Sequence, residues 1–191
     1  MELQLQADCI AVRRWAELLC KLSLPSLKRL HLGGSIAPAV VLDFLSRHRG
    51  LRSLTLSDAT VPFIMPEFGR TFSFEAPELM FIQASCLYLG AILNHLSVNS
   101  KVSSIIVTSD FYSVSDSALR RKPMVALLKR VKDFRTITKI EICFSNLGSV
   151  DFFRVFQDGD TPEVHLLYMK TIILHQNVPL ITNTILVCPQ T

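Results

Sequence analysis

The chain has 191 residues, of which 49% are hydrophobic and only 19% charged, and its formal net charge is +4. This composition excludes a disordered segment, and the length suffices for one well-buried domain or one continuous array of about six repeats. So mild a charge makes nucleic acid an unlikely partner, but the charge is unevenly placed along the chain.

Leu3-Gln4-Leu5 has the apolar-other-apolar pattern of a short strand with one buried side, and Trp15, Leu18, Leu19 and Leu22 follow at helical spacing. The same triplet returns 27 residues later in Leu30-His31-Leu32, now preceded by a third apolar residue, Leu27. Five more segments repeat this ladder: Leu51, Leu54, Leu56; Leu79, Ile82, Ala84; Val102, Ile105, Val107; Ile137, Ile140, Ile142; and Val164, Leu167, Met169. Successive ladders are 24, 28, 23, 35 and 27 residues apart, near the period of about 20–29 residues typical of leucine-rich arrays. Alternate strand residues face opposite sides, so each ladder offers one apolar stripe that neighbouring repeats must share to bury.

The connections have helical period. Ile36 to His48 gathers Val40, Val41, Phe44 and Leu45 on one side, with Asp43, Arg47 and His48 elsewhere; Leu87 to Val98 and Val125 to Phe134 repeat the pattern. A fourth helix is expected over Val150 to Phe156, with Ser149 as its N-cap. Pro25 and Pro77 stand at equivalent places before the first and third ladders, where a strand start needs no amide donor. Residues 57–75, with Pro62, Pro66 and several phenylalanines, form a loop, and Ser113 to Pro123 is an insertion in the longest step. The predicted architecture is α/β: an irregular solenoid over residues 1–170 with a parallel sheet on one face and helices on the other. Residues 171–191, which contain no Asp, Glu, Lys or Arg, form an apolar tail or an atypical last repeat. Both ends look open, as in a piece of a longer array.

No chemistry-bearing motif stands out. Asp158-Gly159-Asp160 lacks the alternating ligands and closing Glu of a calcium loop and is read as a turn. His31-Leu32-Gly33-Gly34-Ser35 lacks phosphate-loop spacing and is read as a glycine turn. The histidines at 31, 48, 95, 165 and 175 have no zinc-like spacing, no nucleophile elbow exists, and Cys143 is read as a small core filler. Neither a cofactor nor a metal is expected, and the chain is read as a non-enzyme.

Five scattered cysteines without a C-x-x-C pair indicate reduced thiols, and the absence of a secretory signal and of a sequon agrees with a cytoplasmic or nuclear address. No membrane span is expected, since the most apolar stretch is interrupted by His175, Gln176, Asn177, Pro179 and Asn183. From Leu119 to Arg135, Arg120, Arg121, Lys122, Lys129, Arg130, Lys132 and Arg135 face only Asp133, a local net of +6. The segment is read as a solvated helix face, with docking of an acidic partner as the sharper alternative.

Leu24-Pro25-Ser26-Leu27-Lys28-Arg29-Leu30-His31-Leu32 and Leu51-Arg52-Ser53-Leu54-Thr55-Leu56 resemble the leucine-rich region of fungal F-box/leucine-rich-repeat proteins and, more broadly, the ribonuclease-inhibitor-like superfamily. The likeness covers about residues 24 to 170 through degenerate repeats. The asparagine that follows the ladder in such repeats is missing: Gly33-Gly34, Ser57-Asp58, Thr108-Ser109 and Cys143-Phe144 stand in its place, and no F-box is visible.

The resemblance implies a protein-recognition surface on the outward ladder positions, Arg29, His31, Ser53, Thr55, Phe81, Gln83, Ser104, Ile106, Lys139, Glu141, Leu166 and Tyr168. It further implies a substrate-binding role in a ubiquitin ligase. The alternatives are a compact doubly wound α/β domain with a small-molecule pocket, which a reversal in strand order would reveal, and a basic nucleic-acid-binding scaffold.

Overall fold

The computed structural model describes residues 1–5, 12–33, 36–57, 73–108, 117–145, 168–178 and 181–187. Strands and helices alternate through most of the chain: β1 (Glu2–Leu5), α1 (Val12–Lys21), β2 (Arg29–Gly33), α2 (Pro38–Arg47), β3 (Ser53–Ser57), β4 (Phe81–Ser85), α3 (Cys86–His95), β5 (Ser104–Thr108), α4 (Ser117–Val131), β6 (Lys139–Ser145), β7 (Thr171–Val178) and β8 (Ile181–Val187). All eight strands lie in one open sheet in chain order. β1 to β7 are parallel, and β8 turns back antiparallel on β7.

The ladder leucines and isoleucines are the sheet's buried side. Leu30, Leu32, Leu54, Leu56, Ile82, Ala84, Ile105, Val107, Ile140 and Ile142 are all buried, and they join Leu19, Phe44, Leu89, Leu93 and Leu127 from the helices and Phe134 from the exit of α4 in one core. Consecutive helices touch, α1 on α2, α2 on α3 and α3 on α4, so they form a row. An amphipathic helix placed between two parallel strands has its apolar side covered by the sheet and its flanks covered by the neighbouring helices.

The turn into each strand repeats. Leu27, Leu51, Leu79 and Ile137 each donate an amide to the carbonyl three residues back, at 2.9, 3.0, 3.1 and 3.3 Å. Pro25 and Pro77 are the second residue of two of these turns, where a fixed φ near −65° is favoured, which explains their equivalence better than a missing strand donor does. Immediately afterwards one carbonyl at the start of each strand accepts two amides from the start of the next. Met1 receives Lys28 and Arg29, Lys28 receives Arg52 and Ser53, and Arg52 receives Met80 and Phe81. Met80 receives Ser103 and Ser104, Ser103 receives Thr138 and Lys139, and Thr138 receives Lys170 and Thr171, the whole series spanning 2.8–3.4 Å. This row of shared carbonyls locks the strand starts in register across seven strands, whatever the length of the connection behind them.

The sixth ladder is the main correction. Lys139 pairs with Thr171 and Ile140 with Ile172, so the strand of the sixth ladder, β7, starts at Thr171, five residues later than the Val164-Leu167-Met169 reading requires. Met169 is buried, but it fills the first position of the ladder, the one held by Ile137 before β6. A triplet with Ile172 and Leu174 follows it. Val164 and Leu167 lie outside the described residues. Within the segment expected as an apolar tail or an atypical last repeat, residues 171–178 and 181–187 are two strands of the sheet, and β8 covers what would otherwise be the open edge of β7.

Other departures are local. α4 begins at Ser117, well before Val125, and runs through Pro123, which cannot donate to the carbonyl of Leu119. His48, read as part of the polar side of its helix, is only 5% exposed. Its Nε2 accepts the Leu24 amide at 3.1 Å and its Nδ1 donates to the Phe44 carbonyl at 2.8 Å, while the ring stacks on Phe44 at 3.8 Å. The Phe44 carbonyl needs this partner because the His48 amide turns to Leu45 at the end of α2.

Two arginines stitch neighbouring helices. Arg47, in the last turn of α2, donates to the carbonyls of Leu19 and Leu22 at 2.9 and 3.1 Å and pairs with Asp43 at 2.9 Å. Arg130, in the last turn of α4, donates to the Leu93 carbonyl near the end of α3 at 3.0 Å and pairs with Asp133 at 2.9 Å. Each thus supplies donors to carbonyls that a neighbouring helix or its exit leaves without intrahelical partners, and each lies over a phenylalanine, Phe44 or Phe134. The predicted helix over 150–156, with its cap at Ser149, and the Asp158-Gly159-Asp160 turn lie outside the described residues. Among the described residues no helix is long and apolar enough to cross a membrane.

Candidate functional site

The sheet side opposite the helices carries the predicted recognition residues, and the pairing register sorts them into rows. The first row reads Glu2, Arg29, Ser53, Phe81, Ser104, Lys139, Thr171 from β1 to β7. The second reads Gln4, His31, Thr55, Gln83, Ile106, Glu141, Ile173. Ten of the twelve sequence-predicted residues fall in these two rows. Arg29 is exposed, and the other nine are half-buried, because parallel strands about 4.8 Å apart make neighbouring side chains shield one another. Leu166 lies outside the described residues. Tyr168 is not a strand residue: it sits in the turn before β7, 41% exposed, with the Arg135 guanidinium 5.8 Å from its ring centroid.

Period-two counting carried further would have found the rest. The pairing continues past the ladder, with Ser57 beside Gly33 on one part of the sheet and Ser85, Thr108 and Cys143 side by side on another, as a third row. Cys143 therefore belongs to the outward side and is half-buried there, not a filler of the core. Partial burial, and next to it the Glu141 carboxylate, push its thiol pKa up, which keeps it protonated and poorly nucleophilic. His31 Nε2 reaches the Ser57 hydroxyl at 2.5 Å, linking the second row to the third. Thr171 and Ile173 are the outward residues of β7 that the misplaced sixth ladder concealed.

The charges are arranged unevenly. Arg29 pairs with Glu2 at 3.4 Å and Lys139 with Glu141 at 3.3 Å, leaving Ser53, Thr55, Gln83, Ser104 and Ile106 as an uncharged centre. Along the end where the strands start, Glu78 is met by Lys101 at 3.2 Å and by Arg52 at 3.7 Å. Its carboxyl lies below the ordinary value, chiefly through the Lys101 hydrogen bond and charge, which outweigh the opposing effect of desolvation, with lesser help from the charges of Arg52 and Lys28. Among the described residues no three His, Cys, Asp or Glu side chains gather as a metal site.

The basic segment from Leu119 to Arg135 is less uniform than its composition suggests. Lys129 and Lys132 are exposed on α4 and its exit, but Arg130 is occupied between α3 and α4, and Arg135 has left the helix for the turn before β6. The arrangement offers hydrogen-bonding side chains, one aromatic ring and flanking charges on a broad sheet surface, which suits contact with another polypeptide. Comparison with protein-family models, with curated proteins and with solved structures finds no match.

Proposed function

We propose that this chain is a non-enzymatic protein-recognition scaffold, a leucine-rich-repeat-type solenoid whose open sheet side captures a partner. One observation carries the reading: seven parallel strands follow one another in chain order, locked start to start by shared carbonyls, with the described helices packed in a row against one side. Coils stacked in this way share an interior and leave a row-and-column surface of outward side chains, the device by which repeat proteins bind. Sequential strand order without a reversal among the described strands supports this reading over the doubly wound alternative, whose small-molecule crevice forms where the order reverses.

The ladder residues resembling F-box/leucine-rich-repeat proteins extend the proposal to a cytoplasmic or nuclear role as the substrate-binding region of an F-box-like protein. Recognition would centre on Phe81, Gln83 and Ile106, where β4 and β5 place an aromatic, an amide and an aliphatic side chain together. Affinity capture with the intact chain tests this. Ile106→Asp and Phe81→Ala should fold normally by circular dichroism and lose the partners that the unaltered chain recovers. Unchanged recovery with both variants contradicts the proposal.

A further inference from the structure

The end of the sheet at which the strands start differs from its opposite end. Taking the first residue of each parallel strand and the three before it, the cations are Lys28, Arg29, Arg52, Lys101, Lys139 and Lys170, and the carboxylates are Glu2 and Glu78. This narrow band has a net charge of +4, as large as that of the entire chain. The last residues of the same strands, Leu5, Gly33, Ser57, Ser85, Thr108, Ser145 and Val178, carry none.

The band is built on the row of shared carbonyls, so its backbone is held in register from β1 to β7. Its middle is apolar. β4 brings no cation to the edge; it presents Met80, 46% exposed, beside Phe81, with Arg52 on one neighbouring strand and Lys101 on the other. At the far end, Tyr168 stands exposed under Arg135 just before Lys170.

We propose that this edge binds an acidic polypeptide segment that crosses the strands in extended form, seating an apolar side chain on Met80 and Phe81 and its flanking carboxylates on Lys28, Arg52, Lys101 and Lys170. The inference rests on the reading of the chain as a protein-recognition scaffold and names the chemistry of the partner. Charge complementarity selects an acidic occupant, and the apolar centre selects a polypeptide over a polyanion without side chains. Five strand spacings separate β2 from β7, about 24 Å, which an extended chain of about eight residues covers.

Glu78 already shows what a carboxylate meets there. Two of these cations approach it, a third acts on it at longer range, and its ionised form is favoured. Glu2 and Glu141 pair with Arg29 and Lys139, which leaves Glu78 alone to face Lys28, Arg52 and Lys101. Lys170 and Arg135 have no carboxylate partner among the described residues.

The test is fluorescence anisotropy with a labelled peptide of about ten residues, two phenylalanines flanked on each side by alternating Glu and Asp, titrated with the full chain. Binding should weaken steeply as salt shortens the Debye length from about 14 Å to about 5 Å. It should also fall when lysine replaces the acids or serine replaces the phenylalanines. Arg52→Glu combined with Lys101→Glu should weaken binding at least about tenfold, as two reversed charges would, and Met80→Ser should weaken it as well. Both charged side chains are more than half exposed, so the fold should tolerate the reversal.

Lys129→Glu with Lys132→Glu makes the same charge change on the helix side and should leave binding intact. Equal loss in that control, equal affinity for the lysine peptide, or tighter binding of a single-stranded oligonucleotide of equal charge overturns the inference. If Ile106→Asp abolishes partner capture while the probe shows no dependence on Arg52 or Lys101, the inference falls and the scaffold reading stands. If neither site affects capture or the probe, both fall.

Discussion

His48→Phe is the perturbation whose cost the structure allows to be worked out. The substitution keeps the ring that stacks on Phe44 and removes both ring nitrogens, one bonded to the Phe44 carbonyl at 2.8 Å and the other to the Leu24 amide at 3.1 Å. The Phe44 carbonyl is fully enclosed and would be left without a partner, at about 1–3 kcal/mol; the Leu24 amide, only partly enclosed, adds about 0.5–1 kcal/mol. The more apolar ring returns about 1 kcal/mol through burial, so the net loss is about 0.5–3 kcal/mol. With a urea dependence of about 2 kcal/mol per molar, the midpoint should fall by about 0.25–1.5 M with an unchanged slope. The bonds join the exit of α1 to the end of α2, so the loss should appear in global unfolding. A midpoint within 0.2 M of the unaltered chain would refute this account of why a histidine is buried there.

Tyr88→Phe should cost about 1–2 kcal/mol in the same assay, because the Tyr88 hydroxyl, wholly buried on α3, donates to the Ile36 carbonyl ahead of α2; no change would mean that this carbonyl finds another donor. Cys143 should react with iodoacetamide more slowly than Cys20, which is exposed, as read by peptide mass mapping at mildly alkaline pH. The unfolded thiol ionises before the folded one, so stability should decline as pH rises through the ordinary thiol range, and Cys143→Ala should remove that part of the decline. A thiol as reactive as Cys20, or an unaltered pH slope, would contradict the placement of Cys143 beside Glu141.

Much of the sheet could be read from residue spacing alone. Apolar residues three and then two apart identified β2 to β6 in register, because both the turn that feeds each strand and the strand's own alternation are local. Even Leu3-Gln4-Leu5 proved to be a strand, pairing Leu3 with Leu30 and Leu5 with Leu32. The same alternation placed ten recognition candidates on one open side. It failed where two readings of a ladder overlap: Met169 suits either the last position of one triplet or the first position of the next, and nothing local decides between them. Pairing of Lys139 with Thr171 decides it, since a strand five residues out of step would forfeit the shared carbonyl at Thr138.

The remaining surprises come from distant contacts. Composition marked His48 and Arg47 as polar-side residues, yet His48 is enclosed and Arg47 spans two helices, because each meets backbone groups at a helix end about 25 residues away in sequence. Orphan carbonyls and amides leave no trace in the identity of the residues that carry them. The concentration of positive charge at one end of the sheet is likewise invisible along the chain, where Lys28, Arg52, Lys101 and Lys170 are far apart. Thus the sequence by itself determined the repeat, the buried stripe and the outward side, all of which follow from local periodicity. Only the tertiary structure decided where β7 begins, which polar residues bind neighbouring helices together and where the cations gather, because these depend on which distant backbone segments come to lie side by side.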